Sequence, residues 1–550
     1  MEDLSFLPDL PSGPLDVYRS SASFDWKRLK LALEGDIDFL KLKYKVWRTL
    51  EKDPLFAHNL VTPVVEEQKR ITQLQLKRVN SYKFLTDEMF KSTYSKRTRA
   101  LMTINEAVQS LNPSVSVKMA IGIYLFSNAL LSLGTERHLK FYEATISKRE
   151  ILASFALTEI AHGSDARLMR TTATYDPKHR EFVIHTPDFE AAKCWVGNLG
   201  RTCTHTLLFA QLITPDGSNH GLHGFVVPIR DPDTLETYPG LIVGDMGEKV
   251  GVNGIDNGRK VPLKHYLAAW FLIVYLAEFE FVLLKRFLAV YFWGANLGDI
   301  RNNHDPTVTY EGDNNVLQQQ AGNWLLRQYE TVLNGGTVDS PLGTVAFLND
   351  YKLISVETFA CTETSQLKTP QFITSTYKWL LCWLLKETRE KYNAEIGKGL
   401  SAFQAKTKSQ VYRWKTLTRV YAEYLAIMFS LESIEKKEKS LQPVLYKLFT
   451  LYGLWSLDNW LVELYQGGFS KGEALARLVR EAVLELCGDL KGEVVSVADA
   501  LAPTDFVLNS VLGKSDGKLY QNLQKAFFSQ PGVFERAPWW RDVTGPKSKL

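Results

Sequence analysis

Between residues 151 and 258 the hydrophobic pattern of this chain switches from a helical period to a strand period, and past 258 it becomes helical again. Glu181-Phe182-Val183-Ile184-His185, Thr206 to Leu212 and Gly224 to Ile229 are short, β-rich and bounded by turn residues. Tyr175-Asp176-Pro177-Lys178 reads as a hairpin turn, and glycines at 240, 244, 247, 251, 254 and 258 punctuate the end. Before this region Phe39-Leu40, Leu42 and Val46-Trp47 recur at helical spacing, as do Leu74, Leu76 and Val79. A Pro/Gly-containing leader runs into a first helix capped near Ser23, Asp53-Pro54 breaks another, and Gly134-Thr135 ends the buried helix holding Ala120 to Phe126. After residue 316, Leu317, Ala321, Trp324-Leu325 and Tyr329 share a predicted helical face. Further helices are expected over Tyr377 to Tyr392, Val411 to Ser430, Leu441 to Leu464 and Gly472 to Leu490. The pattern predicts an α+β fold with a small β domain set between helical parts. The expected domains are 1–150 (helical), 151–258 (β), 259–330 (central helical segment) and 331–550 (C-terminal helical).

Net charge is +4 over 550 residues, spread thinly and without a Lys/Arg stripe interleaved with aromatics, so no nucleic-acid partner is expected. Five cysteines (194, 203, 361, 382, 487) form no CxxC pair, which fits a reducing compartment. The run from Tyr266 to Tyr275 is apolar, but Glu278, Glu280, Lys285 and Arg286 interrupt the residues after it, so no membrane span is expected. The N-terminus has no basic n-region, and Ser548-Lys549-Leu550 at the other end is a peroxisomal address read by an import receptor.

No GxGxxG, GxxxxGK[ST] or HExxH occurs. Gly468-Phe469-Ser470-Lys471-Gly472 fits GxSxG, but a helix precedes it where a nucleophile elbow needs a strand, so a helix–helix turn capped by Ser470 is expected. His220 and His223 lack the further ligands a metal needs and read as surface loop histidines. The stretch Phe155 to Ser164 is an apolar run ending in small polar residues and glycine, the form of a strand that delivers hydroxyls and amides to a ligand. Glu311 stands beside Gly312 at a helix entrance, where it reads either as a first-turn carboxylate or as a carboxylate able to swing onto a ligand.

Several segments in order resemble the peroxisomal acyl-CoA oxidase family. They are Thr158-Glu159 with His162-Gly163-Ser164, Arg170 to Pro177, Lys193 to Gly200, Val243 to Gly247, Asn253 to Gly258, and Tyr310-Glu311-Gly312-Asp313-Asn314-Asn315. The likeness continues through Pro503 to Leu508, and Pro187 to Lys193 points to the branched-chain (pristanoyl-CoA) type. The resemblance implies an acyl-CoA dehydrogenase/oxidase-like fold, an FAD cofactor and acyl-CoA and O₂ as substrates, in a homodimer. It implies FAD contacts from Thr158, Gly197 and Trp195, an acyl-CoA contact from Ser164, and Glu311 as the base that takes the thioester α-proton. The β-hydrogen then leaves as hydride, and O₂ becomes H₂O₂.

One part of the family pattern is missing. Such oxidases run from the Asn257-Gly258 equivalent through a strand and several helices before the glutamate, with an Arg followed by Phe-Gly and a Cys-Gly-Gly-His-Gly motif. Here aromatic-rich residues 259–300 stand in their place, so the central helical layer is expected to be truncated or replaced. A catalytically silent form that pairs with an intact oxidase therefore stays open beside the active enzyme. A dehydrogenase that passes electrons to a protein is disfavoured by the long C-terminal helical region.

Overall fold

The computed structural model describes residues 2–145, 151–260, 295–308 and 314–544. The chain forms two compact units: Met1–Asp36 with Val308–Ala502, and Ile37–Thr307 with Pro503–Leu550.

The first unit is helical. Pro370–Gly397 starts with proline in its first turn, and the Thr369 hydroxyl accepts from the Phe372 amide. It packs with Lys415–Glu435, Gln442–Asp458 and Ala474–Leu490 around Ile373, Leu380, Leu417, Leu457 and Val479. The stretch Leu441 to Leu464 is two helices and not one. They part at Asn459-Trp460, where the Trp460 indole donates to Glu423 Oε2 at 2.6 Å. The helix Trp26–Glu34 is capped by Asp25, which accepts from Lys27, whereas the Ser23 amide donates to Glu493. Gly468 to Gly472 is a turn between helices as expected, but Ser470 is buried and caps nothing: the cap position falls on Glu473. In the helix Asn314–Leu333 the buried face is Gly322, Leu325, Leu326 and Tyr329, while Leu317 is 47% exposed.

The second unit holds the helices Ile37–Glu51, Val65–Ser81 and Tyr94–Gln109. It also holds a longer run in which Pro113–Met119 passes through a π turn, Ala120–Leu125, into Phe126–Leu133. That run, Pro113–Leu133, is long and apolar enough to cross a membrane, but 56% of it is buried in the protein, as in a core helix. The strands are β1 (Ala153–Ala156), β2 (Thr172–Asp176), β3 (Glu181–His185), β4 (His205–Ile213), β5 (Asn219–Pro228), β6 (Val243–Asp245) and β7 (Gly258–Lys260). β2 and β3 form the expected hairpin, and the Asp176 carboxylate accepts from the Lys178 and His179 amides in its turn. His220 and His223 lie on β5 and are exposed, so they belong to a strand and not to a loop.

β4 organises the sheet. β5 runs antiparallel along one edge. On the other edge β1 pairs in parallel with His205 to Leu208, and β2 pairs in parallel with Gln211 to Ile213. Alternation along β4 sends Leu207 to a face shared with Phe126 and Leu130, and sends Leu208 and Ala210 to a face shared with Ala156, Ala173, Val196 and Ile229. β1 and β2 thus lie end to end on one edge, and the chain must leave that edge and return to it. The C-terminal segment closes on the same unit. Ser510 donates to the Ala295 carbonyl at 2.6 Å, and Asn296 donates to that of Leu508 at 3.1 Å.

Candidate functional site

The site is built where the chain leaves the β4 edge. After Ala156 it makes an excursion, residues 157–171, and rejoins the edge where the Gln211 amide donates to the Thr171 carbonyl at 2.8 Å. Glu159 closes the neck of this excursion. Its Oε2 accepts from the Arg170 amide (2.8 Å) and from His162 Nδ1 (3.0 Å), and its Oε1 accepts from the Thr171 amide (2.8 Å). Lys193 Nζ reaches Glu159 Oε1 at 3.2 Å and the Leu157 carbonyl at 2.8 Å. Both side chains of this ion pair are wholly buried. Burial pushes the Glu159 carboxyl up, but the hydrogen bonds from Thr171 and Arg170 and the Lys193 charge outweigh it and hold the group below its ordinary value.

A second segment runs antiparallel to the excursion. The Ile160 amide donates to Ala192, the Ala161 amide to Glu190, and the Cys194 amide to Thr158 at 3.0 Å. Val196 then exchanges backbone hydrogen bonds with Gly258. Trp195 falls between these two pairings, one residue past the Cys194 that pairs with Thr158. Its backbone is left-handed (φ 57°) and its side chain is 60% exposed. Such a φ is costly for a bulky residue, and the indole makes no ring or cation contact among the described residues. The Thr158 hydroxyl is half-buried and has no hydrogen-bond partner among the described residues. Ser164 is exposed and likewise unpartnered.

Beneath this surface lies a tightly packed floor. A Cβ on Gly197 would stand 2.6 Å from Ile121 Cδ1 in the π turn, so a larger residue there must displace the flexible end of Ile121. Asn198, also left-handed (φ 70°), is fully buried and donates to the carbonyls of Ala153 (3.1 Å) and Lys118 (3.4 Å). Lys118 pairs with Asp256, both 1% exposed. Asp256 Oδ2 also accepts from the Arg201 and Thr202 amides at 2.8 and 2.9 Å. Burial raises the Cys194 thiol to about 11, so the cysteine next to Trp195 is no nucleophile at neutral pH. Among the described residues no cluster of His, Cys, Asp and Glu could hold a metal.

The structure therefore brings Thr158, Trp195 and Gly197 onto two paired segments, with Ser164 farther along the excursion. Glu311, the import tail Ser548 to Leu550, and residues 261–294 of the aromatic-rich stretch lie outside the described residues. The sequence reading missed Glu159, Lys193, Lys118 and Asp256 as individual actors. The available signal was charge placed inside otherwise apolar or glycine-rich runs.

A family model for acyl-CoA oxidase matches residues 369–549, and one for the middle domain of acyl-CoA dehydrogenase matches residues 154–261. Peroxisomal acyl-coenzyme A oxidase 3 of Homo sapiens is 33% identical over 686 aligned residues, covering 98% of this chain and 97% of that protein. An alignment of 686 positions against a chain of 550 residues leaves at least 136 facing a gap. Peroxisomal acyl-coenzyme A oxidase 1 of Homo sapiens is 24% identical over 92% of this chain and 94% of its own length. Acyl-CoA oxidase 3 of Yarrowia lipolytica superimposes with a TM-score of 0.82 at 18% identity, covering 98% of this chain and 96% of that one. Acyl-CoA oxidase-1 of Caenorhabditis elegans, solved with FAD and ATP, gives 0.79 at 18% identity over 99% of each chain. These two likenesses fix the fold, and the human oxidase 3 match fixes the kinship: the chain belongs to the peroxisomal acyl-CoA oxidase family.

Proposed function

We propose that this chain oxidises acyl-CoA to trans-2-enoyl-CoA with FAD as cofactor and O₂ as the final acceptor, releasing H₂O₂, as the first step of peroxisomal β-oxidation. The observation that carries the proposal is Trp195, a strained residue with an exposed indole one residue past the pairing of Cys194 with Thr158, whose hydroxyl is unpartnered among the described residues. A flat, polar-edged ring system suits both: the indole offers a stacking face, and the hydroxyl can donate or accept at the ring edge. The residues present thus fit FAD, which a C. elegans relative of the same fold binds. When bound, FAD supplies the hydride acceptor and the reaction with O₂.

The chain's own residues supply position and proton transfer. Trp195 and Thr158 orient the cofactor face, with Gly197 holding the turn against the helix. Ser164 lies toward the acyl-CoA. Glu311 acts as the base, and its carboxylate takes the α-proton while the thioester carbonyl accumulates charge. The oxidase works as a homodimer and enters the peroxisome through Ser548-Lys549-Leu550.

The 136 or more gap positions favour a second reading, a catalytically silent form that pairs with an intact oxidase. One experiment separates the two. The purified chain should carry yellow, protein-bound flavin and release peroxide with a long-chain acyl-CoA. Flavin without peroxide supports the silent form, and neither flavin nor peroxide rejects the site.

A further inference from the structure

We infer that the buried Glu159–Lys193 pair is the positioning device that sets Thr158 and Trp195 in register for the cofactor; this rests on the flavin reading of the site. Glu159 directly follows Thr158. Lys193 lies two residues before Trp195. The two side chains meet at the bridge between their segments, where the Cys194 amide also donates to the Thr158 carbonyl.

Glu159 gathers donors from three further places in the chain: the Arg170 amide, the Thr171 amide and His162 Nδ1. One carboxylate thus fixes the entry of the excursion, its return to the β4 edge and the bend leading to Ser164. Lys193 adds the fourth tie and a second one to the Leu157 carbonyl on the other side of Thr158. The lysine therefore grips both flanks of Thr158 while its own chain continues into Trp195.

A buried ion pair is weak as a source of stability, because desolvation consumes most of its Coulombic gain, and apolar residues of equal volume serve as well. What apolar residues cannot do is hold four hydrogen-bonded segments at one fixed spacing. The left-handed backbone at Trp195 needs such a constraint, since a bulky residue left free would relax to a commoner φ and shift the indole.

The test is Lys193→Met, read by hydrogen exchange of the cofactor-free protein and by FAD titration. Glu159 keeps three donors in this variant, which lowers the cost of leaving its buried carboxylate without the ammonium. Exchange at the Ile160 and Cys194 amides should quicken at least about tenfold, and the FAD Kd should rise at least about tenfold, through loss of the ties to Glu159 and to the Leu157 carbonyl. Lys30→Met is the control. Lys30 is also buried, donates to the Ala502 carbonyl at 2.7 Å and belongs to the other unit, so both readouts should stay within about twofold of wild type.

A folded Lys193→Met chain with unchanged exchange and FAD affinity overturns the inference, as does an equal effect from Lys30→Met. If Lys193→Met alone fails to fold, Glu159→Gln with Lys193→Met removes both charges and is read the same way. A wild-type chain that binds no FAD overturns the flavin reading instead, and the exchange result then decides whether the pair sets the two segments.

Discussion

Replacing Asp256 with alanine should be among the most damaging single changes in the β-bearing unit. Asp256 and Lys118 are each 1% exposed, so the variant strands an ammonium group in the protein interior. Breaking a buried pair from one side costs about 3–5 kcal/mol. The Arg201 and Thr202 amides lose their acceptor as well, at about 1–3 kcal/mol for each group left unpaired. These costs overlap, and Thr202 Oγ1 still reaches Lys118 at 3.1 Å, so about 4 kcal/mol is the working figure. Removing both charges, in Lys118→Met with Asp256→Ala, should recover about half of that loss, because no unpaired ammonium remains.

The pH dependence has a definite sign. Burial raises the Asp256 carboxyl, but Lys118 and the surrounding hydrogen bonds outweigh it and set the folded value below 3.8. The carboxylate's contribution is therefore present above that pH and lost as pH falls through the folded value. Asp256→Ala should flatten the acid limb of the stability profile there. Hydrogen exchange of amides in β4 reads the unit directly, where a whole-chain melt would mix two units. An Asp256→Ala chain within about 1 kcal/mol of wild type, or a double variant no better than the single one, refutes the reasoning.

Trp195→Ala removes an indole that is 60% exposed, so hydrogen exchange of the cofactor-free unit should change little while FAD affinity falls about tenfold through lost stacking. Gly197→Ala drives a Cβ to 2.6 Å from the flexible end of Ile121 and should cost about 1–3 kcal/mol, recovered in part by Ile121→Val. Gly258→Ala should cost more, because its Cβ would meet the Gly200 amide and Leu199 at 2.6 Å, where backbone must move; comparative exchange in β4 ranks the two.

The α+β architecture was legible because period and punctuation are local. Glu181 to His185, the Asp176 turn, the helix end at Gly134 and the break at Asp53-Pro54 all fall where the sequence places them. Caps were less legible: Ser23 and Asp25 are both good capping types, and only the approach of Glu493 decides between them. His220 and His223 read as loop because they precede the strand expected from Gly224, yet pairing with β4 extends β5 back through them. The ion-pair partners at and beneath the site were not legible. Glu159 finds Lys193, and Lys118 finds Asp256, across 34 and 138 residues of intervening chain, and no local pattern encodes such a meeting. The left-handed backbone at Trp195 is likewise set by pairings on either side of it, Thr158 with Cys194 and Val196 with Gly258.

Proton abstraction by Glu311 is the step on which the proposed oxidation depends. Glu311→Gln probes it, with bound flavin and peroxide release measured on the same preparation. The variant should hold wild-type flavin content while peroxide production drops by at least about a hundredfold, the usual scale of a lost general base. A Glu311→Gln chain that keeps flavin and still produces peroxide at the wild-type rate would contradict it.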